Sequence, residues 1–240
     1  MGGTQPVFIV AIDGPAGAGK STTARAVARE LGFSYLDSGA LYRCVALAAL
    51  ERGIAPDDEA AMGALVASLR VECGSDGQGF LLDGRDVSQA IRDPAVSQVA
   101  SKSSALLSVR QALLDWQRTA VASPGTVVEG RDIGTVVFPA ADLKIFLDAD
   151  PDERARRRSA ELVETRATDA ETASIGKVKA EMVERDRRDS TRKVAPLAVA
   201  SDAVVIDTTR LDLQQVVARI VAEAVRRGCV AKQAEKQTFP

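Results

Sequence analysis

The stretch IDGPAGAGKSTT (residues 12–23) follows the apolar run VFIVA (residues 7–11) and combines three glycines with a lysine. Its segment GPAGAGKS (residues 14–21) matches the spacing G-x-x-x-x-G-K-[ST]. Glycines let the backbone curl so that successive N–H groups point toward an anion, and the helix that follows presents its positive N-terminal end to the same anion. The sequence therefore predicts a phosphate-binding loop between a buried strand and a helix.

We expect this loop to hold a nucleoside triphosphate, ATP, with Mg²⁺. Lys20 can reach the β- and γ-phosphates, and the Ser21 hydroxyl can ligate the metal. A glycine-rich turn with a surface lysine is the alternative, but the flanking strand and helix supply the context that phosphate binding requires. The predicted ATP-binding residues of the loop are Gly14, Pro15, Ala16, Gly17, Ala18, Gly19, Lys20, Ser21 and Thr22.

The first predicted strand spans residues 7–12, and four more short apolar runs resemble it, at residues 34–36, 126–128, 143–147 and 203–206. Strands buried on both faces have this near-continuous apolar character. Helical patterns separate the runs, over residues 24–31, 41–50, 106–121, from Pro151 onward, and over residues 211–226. Alternating strands and helices predict the α/β class, with a five-stranded parallel sheet covered on both sides.

Two segments depart from this alternation. Residues 69–87 read LRVECGSDGQGFLLDGRDV, which predicts a small antiparallel meander inserted into the α/β domain. Residues 163–174 are polar without apolar periodicity, and we expect a mobile loop there between two arginine-bearing helices. We expect one domain over residues 1–240, with a flexible tail at residues 229–240.

Composition limits the kind of partner. The net charge is −2, so a basic field for nucleic acid is absent. No apolar run approaches the roughly 18 residues of a membrane span, and residues 1–6 lack the features of a signal peptide. Three scattered cysteines form neither metal-ligand spacing nor a disulfide framework. We expect a cytoplasmic monomer that binds neither nucleic acid nor membranes.

Two polar motifs follow strands of the predicted sheet, at the carboxyl edge where ligands bind. In LDSGALYR (residues 36–43), Ser38, Tyr42 and Arg43 bring two hydroxyls and a guanidinium to a helix start, which suits a phosphate. In EGRDIGT (residues 129–135), Arg131 and Asp132 form a compact turn beside the phosphate loop. Packing of Tyr42 and a structural ion pair in the second motif are the alternatives.

Arginines cluster on two predicted helices. Arg185, Arg188, Asp189 and Arg192 have the spacing of one helical face, and so do Arg154, Arg157 and Arg158. Like charges so close repel one another unless an anion neutralises them, and the guanidinium fork suits a polyphosphate. Salt bridges within the helices are the alternative explanation.

Together these motifs resemble the bacterial cytidylate kinases, within the nucleoside monophosphate kinase family. LDSGALYR, GRDIGTVVFP and ERDRRDSTRKVAPL carry the resemblance, which covers about residues 6–227. It implies a three-layer P-loop kinase fold that uses ATP and Mg²⁺ to phosphorylate CMP and dCMP. It also implies a monophosphate-binding insert at about residues 71–101 and a helical lid at about residues 159–187.

The resemblance implies a role for each motif residue. It places the CMP phosphate on Ser38, Tyr42, Arg43 and Arg131, the cytosine on Ser101, Arg110, Asp132 and Arg192, and the ribose on Arg185 and Asp189. Arg154, Arg157, Arg158 and Arg188 resemble lid arginines, of which Arg154 and Arg157 face ATP; the implied catalytic residues are Lys20, Arg131, Arg158 and Arg188. Two positions depart from the family pattern: Ser21 stands where many relatives have glycine, and Glu129 stands where aspartate is common.

The chain contains no histidine, so any mechanism has to work without an imidazole base. A phosphate monoester loses its second proton at a pKa of about 6, so a monophosphate acceptor needs no general base at neutral pH. Other classes stay open: a kinase for UMP or for a non-nucleotide hydroxyl, or a nucleotide-dependent switch. The chain lacks the N-K-x-D motif of GTPases, whereas KIFLD (residues 144–148) could end in a Walker-B acid.

Overall fold

A five-stranded parallel sheet forms the centre of the computed structural model, which describes residues 7–74, 79–164 and 174–229. Numbered along the chain, its strands are β1 (Phe8–Asp13), β2 (Ser34–Asp37), β6 (Gly125–Glu129), β7 (Leu143–Asp148) and β8 (Val204–Asp207). Their order is β2-β6-β1-β7-β8, and every neighbouring pair is parallel. The predicted α/β class and all five predicted strands are confirmed, with boundaries that differ by one residue.

Helices cover both faces of this sheet. Those in the described part of the chain are α1 (Lys20–Leu31), α2 (Ser38–Glu51), α3 (Glu59–Ser68), α4 (Pro94–Ser103), α5 (Leu107–Thr119), α6 (Pro151–Glu164), α7 (Ile175–Thr191) and α8 (Leu213–Arg226). The pattern analysis found all of them except α3 and α4. Arg192 was predicted to continue the face of α7, but it lies just beyond the helix with extended backbone.

A second, antiparallel sheet confirms the predicted meander. It consists of β3 (Val71–Cys73), β4 (Phe80–Leu82) and β5 (Arg85–Asp86), paired in that order. The rest of the predicted insert is not antiparallel but helical: a 3-10 turn, Ala90–Arg92, is followed by α4. Pro94 favours this helix start because its fixed φ suits the first turn, and Asp93 caps it by accepting from the Ala95 N–H at 2.7 Å.

Among the apolar clusters that hold these layers together, two are the largest. One lies between the sheet and the helices α1 and α8, where Leu31, Ile145 and Ile220 are buried. The other joins α2, α3 and α5 to the meander, through buried Leu41, Met62 and Phe80 among others. The meander therefore rests mainly on helices, and Cys73 of β3 also packs against a smaller cluster that contains Leu36 of β2 and Val128 of β6.

Some expectations fall outside the described residues. The predicted lid spans the end of α6 and most of α7, but its middle, residues 165–173, lies outside the described part. The predicted mobile loop at residues 163–174 lies largely there as well, and so does the tail beyond residue 229. Within the described residues, no helix is long and apolar enough to cross a membrane.

Gly14 begins the phosphate loop where β1 passes very close to β7. Its φ is +149°, and a Cβ placed on it would lie 2.0 Å from the carbonyl oxygen of Leu147. A backbone oxygen in a buried parallel strand cannot move aside cheaply. Only glycine fits this position, so the loop and the sheet constrain each other here.

The first prediction concerns this glycine. We expect Gly14→Ala to lower the free energy of unfolding by at least about 2 kcal/mol, because it adds overpacking to backbone strain. The matched control is Gly176→Ala in α7, where an added Cβ meets nothing within 4 Å. The control should leave stability unchanged or raise it by up to about 1 kcal/mol. Urea denaturation measures both, and equal values for the two variants would contradict the argument.

Candidate active site

The phosphate loop lies at the carboxyl edge of the sheet, between the end of β1 and the start of α1. Gly17 and Gly19 have φ of +73° and +84°, which curls the loop. Lys20 is the first residue of α1, and its Nζ donates to the carbonyl oxygen of Pro15 at 2.6 Å. The lysine is thereby folded back over the loop that it follows.

A buried carboxylate connects this loop to the loop after β6. Asp13 is 4% exposed and accepts from the backbone N–H groups of Ile133 and Gly134, both at 2.8 Å. Burial raises the pKa of Asp13 to about 6, although the two backbone N–H groups act to lower it. Sequence analysis missed Asp13; an acidic residue at the end of an apolar strand, directly before the first glycine, was the available signal.

A cleft of about 240 Å³ opens above the phosphate loop. It brings together five predicted cationic site residues, Lys20, Arg43, Arg131, Arg158 and Arg185, beside residues of the phosphate loop. Two cations that sequence analysis did not select, Arg25 and Arg92, line it as well. Against these seven positive side chains stand three carboxylates, those of Asp37, Glu129 and Glu161. The difference, seven minus three, is an excess of four positive charges.

This excess disturbs the titration of two of the cations. Burial, with repulsion from the Arg131 guanidinium, lowers the pKa of Lys20 to about 7. The same two causes lower the pKa of Arg185 to about 9. An anion in the cleft would reverse both effects, since a nearby opposite charge favours the charged form of a basic group. The site is electrostatically suited to polyphosphate.

A smaller cavity of about 60 Å³ adjoins the cleft and shares Arg43, Arg131 and Arg185 with it. All ten residues that the family resemblance linked to CMP line this cavity: Ser38, Tyr42, Arg43, Ser101, Arg110, Arg131, Asp132, Arg185, Asp189 and Arg192. They come from α2, α4, α5, the loop after β6, and α7 with the residue that follows it. The fold thus gathers residues that lie far apart in the chain.

At one end of this cavity, Asp132 is held between two guanidiniums. Arg110 donates to its Oδ2, and Arg192 donates to its Oδ1 at 3.1 Å. The guanidinium of Arg110 also lies over the ring of Tyr42, 5.6 Å from its centre. Beside them, the hydroxyl of Ser101 is buried and has no hydrogen-bond partner among the described residues. This end therefore offers a fixed carboxylate, two fixed guanidiniums and an unpaired hydroxyl.

At the other end, carboxylates hold the arginines that the two cavities share. Arg131 Nε donates to Asp189 Oδ2 at 3.0 Å, and Arg185 Nε lies 4.0 Å from the same oxygen. Burial acts to raise the pKa of Asp189, but these two guanidiniums hold it below its usual value. Ser38 donates to the carbonyl oxygen of Glu129 at 2.6 Å, which fixes the start of α2 against β6.

Three of the predicted lid arginines lie outside the two cavities. Arg154 donates to Asp186 and, at 3.0 Å, to the carbonyl oxygen of Ala16. Asp186 also accepts from the Ala16 N–H at 3.0 Å, so α6 and α7 are both bound to the phosphate loop. Arg157 donates to Thr208 at 2.8 and 3.0 Å, beside Gly19 of the phosphate loop. Arg188 pairs with Glu184 and lines a neighbouring cavity together with Arg158 and Arg185.

Oxygen ligands for a hard cation are present beside the loop. The Glu129 carboxylate lies at the end of β6, lines the cleft and accepts from the Tyr35 hydroxyl. The Ser21 side chain hydrogen-bonds to the same carboxylate, whose pKa is raised by burial and by the nearby Asp37. No group of three acidic, histidine or cysteine side chains suited to a metal occurs in the described ranges. This donor set fits Mg²⁺, which usually takes one or two protein ligands together with phosphate and water.

The second prediction follows from the lowered pKa of Lys20. The phosphates of a bound nucleotide should raise this pKa, so binding at pH 8 should take up about one proton. Isothermal titration calorimetry with ADP in two buffers of different ionisation enthalpy measures the uptake. Lys144 offers a matched control: it also donates to a proline carbonyl, but it is paired with Asp202 at 2.9 Å.

We expect Lys20→Met to abolish the uptake and Lys144→Met to preserve it. In the wild type, affinity should fall as the pH rises above about 7, because the neutral amine must first bind a proton. Buffer-independent binding enthalpies in the wild type at pH 8 would show that Lys20 does not change its protonation state.

Comparison with known proteins agrees with this geometry. The family described as cytidylate kinase matches residues 10–226. The chain is 51% identical to a cytidylate kinase from Solibacter usitatus, over 93% of this chain and 96% of that one. It is 45% identical to a cytidylate kinase from Carboxydothermus hydrogenoformans, over 92% and 99% of the two chains. For a cytidylate kinase from Pseudomonas aeruginosa the identity is 46%, over 95% and 99%. The chain therefore belongs to the cytidylate kinase family.

Proposed function

We propose that this protein transfers the γ-phosphoryl group of ATP to the phosphate of CMP or dCMP, giving ADP and CDP or dCDP. One observation carries the proposal. A cationic cleft over a phosphate loop opens into a smaller cavity that ends in Asp132, Arg110, Arg192 and Ser101. The cleft suits the phosphates of a donor and an acceptor, and the smaller cavity suits a polar base.

The base end has hydrogen-bond chemistry that matches cytosine. Cytosine offers an amino donor at N4, whereas uracil has a carbonyl acceptor at the same position. In this proposal the Asp132 carboxylate accepts from N4, and its two guanidinium neighbours donate to the acceptors on the ring. Because Arg110 and Arg192 hold both carboxylate oxygens, Asp132 is fixed in place before the base arrives.

In this proposal the arginines supply most of the positive charge that binds the phosphates. Arg43 and Arg131 bind the acceptor phosphate, while Lys20, Arg158 and Arg188 stabilise the phosphoryl group in transfer. The acceptor is a phosphate dianion at neutral pH, so no protein base is required. Catalysis then consists of aligning two anions, screening their repulsion and excluding water. Fixed guanidiniums suit this task because they need no rearrangement during the reaction.

The proposal includes Mg²⁺, held through Ser21 with Glu129 beside it. The ion would neutralise negative charge on the donor phosphates and orient them. Arg154 and Arg157 stay proposed ATP-side residues, acting on the shape of the phosphate loop through the contacts described above. Residues 71–101 are proposed as the monophosphate-binding insert and residues 159–187 as the lid. A cytoplasmic monomer without nucleic-acid partners completes the proposal.

The third prediction tests the reaction itself. ADP release from ATP should accelerate strongly with CMP or dCMP, and chromatography should identify CDP or dCDP as the product. UMP, AMP, GMP and a non-nucleotide alcohol serve as comparison acceptors, since they represent the rival kinases. Slow ATP hydrolysis that ignores every monophosphate would indicate a nucleotide-dependent switch instead.

The fourth prediction concerns Ser101. Its hydroxyl has no hydrogen-bond partner among the described residues, so removing the hydroxyl breaks no hydrogen bond with them. We expect Ser101→Ala to keep the thermal midpoint and to lower kcat/KM for CMP roughly 5- to 30-fold, the effect of about 1–2 kcal/mol of lost hydrogen bonding. Asp132→Asn would be harder to interpret, because it also removes the negative charge that Arg110 and Arg192 bind. Steady-state kinetics at saturating ATP measure the effect.

Ser103→Ala is the matched control. Ser103 lies on the same helix and is fully buried, but it faces the backbone of α4 and does not line the cavity. Its variant should keep the kinetics for CMP. If both serine variants lower kcat/KM equally, the effect comes from α4 as a whole and Ser101 does not contact the nucleotide.

A further inference from the structure

A buried tyrosine on the outermost strand β2 holds the carboxylate that lies beside the phosphate loop. Tyr35 is 6% exposed, and its hydroxyl donates to Oε1 of Glu129, the last residue of β6. Tyr35 is in register with Val127, so Tyr35 and Glu129 are diagonal neighbours on the same face of the sheet. The contact therefore joins two adjacent strands close to their carboxyl ends.

Helix α1 covers this face and fixes the tyrosine ring. Tyr35 packs in the same apolar cluster as Val27 and Leu31 of that helix. The Arg25 guanidinium lies over the ring, 5.8 Å from its centre, while its Nε donates to the carbonyl oxygen of Ser21 at 3.2 Å. A cation placed over an aromatic face is attracted to it. The ring is therefore held between the helix and the sheet, and the direction of its hydroxyl is fixed.

The donors that hold Glu129 differ in kind from those that hold other buried carboxylates of the site. Asp132 and Asp189 are bound by guanidiniums, which offset their charge. Glu129 is held by two neutral hydroxyls, those of Tyr35 and Ser21. A neutral donor orients a carboxylate without cancelling its negative charge. Glu129 is 4% exposed and lines the cleft, so this charge is available to a cation above the phosphate loop.

We propose that Tyr35 is a positioning residue for the divalent cation of this site, because its hydroxyl holds the Glu129 carboxylate beside Ser21. The inference rests on the proposed function and extends it to a residue that does not itself line the cleft. Without the tyrosine hydroxyl, the flexible glutamate side chain loses one of its two hydroxyl partners. Ordering that side chain then becomes part of the cost of binding the metal.

Manganese serves as the probe, because its electron paramagnetic resonance signal reports the free ion. Mn²⁺ is titrated into the protein with bound ADP, with the protein in excess so that little ADP stays free. We expect Tyr35→Phe to weaken Mn²⁺ binding roughly 3- to 10-fold, the scale of one lost hydrogen bond. The ring and its contact with Arg25 remain in this variant. Calorimetry in metal-free buffer should give an ADP affinity within about twofold of the wild type, because the phosphate loop itself is unchanged.

Tyr42→Phe is the matched control. Tyr42 also lies beneath a guanidinium, that of Arg110 at 5.6 Å, and its hydroxyl also hydrogen-bonds with a buried side chain, that of Gln117. It lines the smaller cavity and not the cleft over the phosphate loop. The ADP complex of this variant should therefore bind Mn²⁺ like that of the wild type.

A double variant shows whether the hydroxyl acts through the carboxylate. Glu129→Gln removes the charge and should weaken Mn²⁺ binding more than Tyr35→Phe does. Adding Tyr35→Phe to it should cause no further loss, because both changes act on the same group. Four results would overturn the inference: unchanged Mn²⁺ affinity in Tyr35→Phe, equal weakening in Tyr42→Phe, full additivity in the double variant, or a parallel loss of metal-free ADP affinity. None of these depends on phosphoryl transfer to CMP, which the acceptor panel decides separately.

Discussion

The site depends on the hydrogen bonds that the buried carboxylate of Asp13 accepts. The phosphate loop follows β1, and the loop that contains Arg131 and Asp132 follows β6. Asp13 lies at the end of β1, directly before the phosphate loop, and accepts from two backbone N–H groups of the loop after β6. A further backbone bond, from the Gly130 N–H to the Ile12 carbonyl at 3.0 Å, closes the same junction. The phosphate loop and the loop that carries Arg131 and Asp132 are thus joined by a few buried hydrogen bonds, and the distance between them is set by the spacing of adjacent strands.

Above this junction, buried carboxylates also fix the site, but they bind arginines and not backbone N–H groups. Each carboxylate lies against two arginines and leaves part of each guanidinium for a ligand. Asp37 holds Arg43 and Arg92, Asp189 holds Arg131 with Arg185 nearby, and Asp132 holds Arg110 and Arg192. Each group keeps a net positive charge while its geometry is fixed. Holding flexible side chains in place before binding reduces the entropy that binding costs. Burial, together with repulsion from Arg131, lowers the pKa values of Lys20 and Arg185, which shows that keeping these charges together costs free energy.

Much of this architecture could be predicted from the sequence, because local patterns encode it. The apolar runs and the glycine loop predicted the strands, their parallel class and the start of α1. The family resemblance selected ten residues that the fold brings into one cavity. What escaped prediction depends on long-range packing. In the sequence, nothing distinguishes Arg92 from a surface arginine. In the structure it donates to Asp37, which lies 55 residues away in the chain.

The helices α3 and α4 escaped for a related reason. α3 is mostly apolar and lacks a polar stripe, while α4 is short and mixes serines with small apolar residues, so neither has strong periodicity. Their buried residues face the meander and α2 in a secondary cluster, whose position depends on the insert as a whole. Asp13 and Asp37 were similarly inconspicuous, since a single acidic residue after a strand also suits an ordinary turn.

The bridge from Asp186 to the phosphate loop has a mechanical consequence. Because this one carboxylate binds both the Ala16 N–H and Arg154, it joins the carboxyl-terminal half of α7 to the loop and to α6 at the same residue. A displacement of α7 that broke this bridge would leave the Ala16 amide and the Arg154 guanidinium without their carboxylate partner. The position of α7 and the shape of the phosphate loop are therefore mechanically coupled through Asp186.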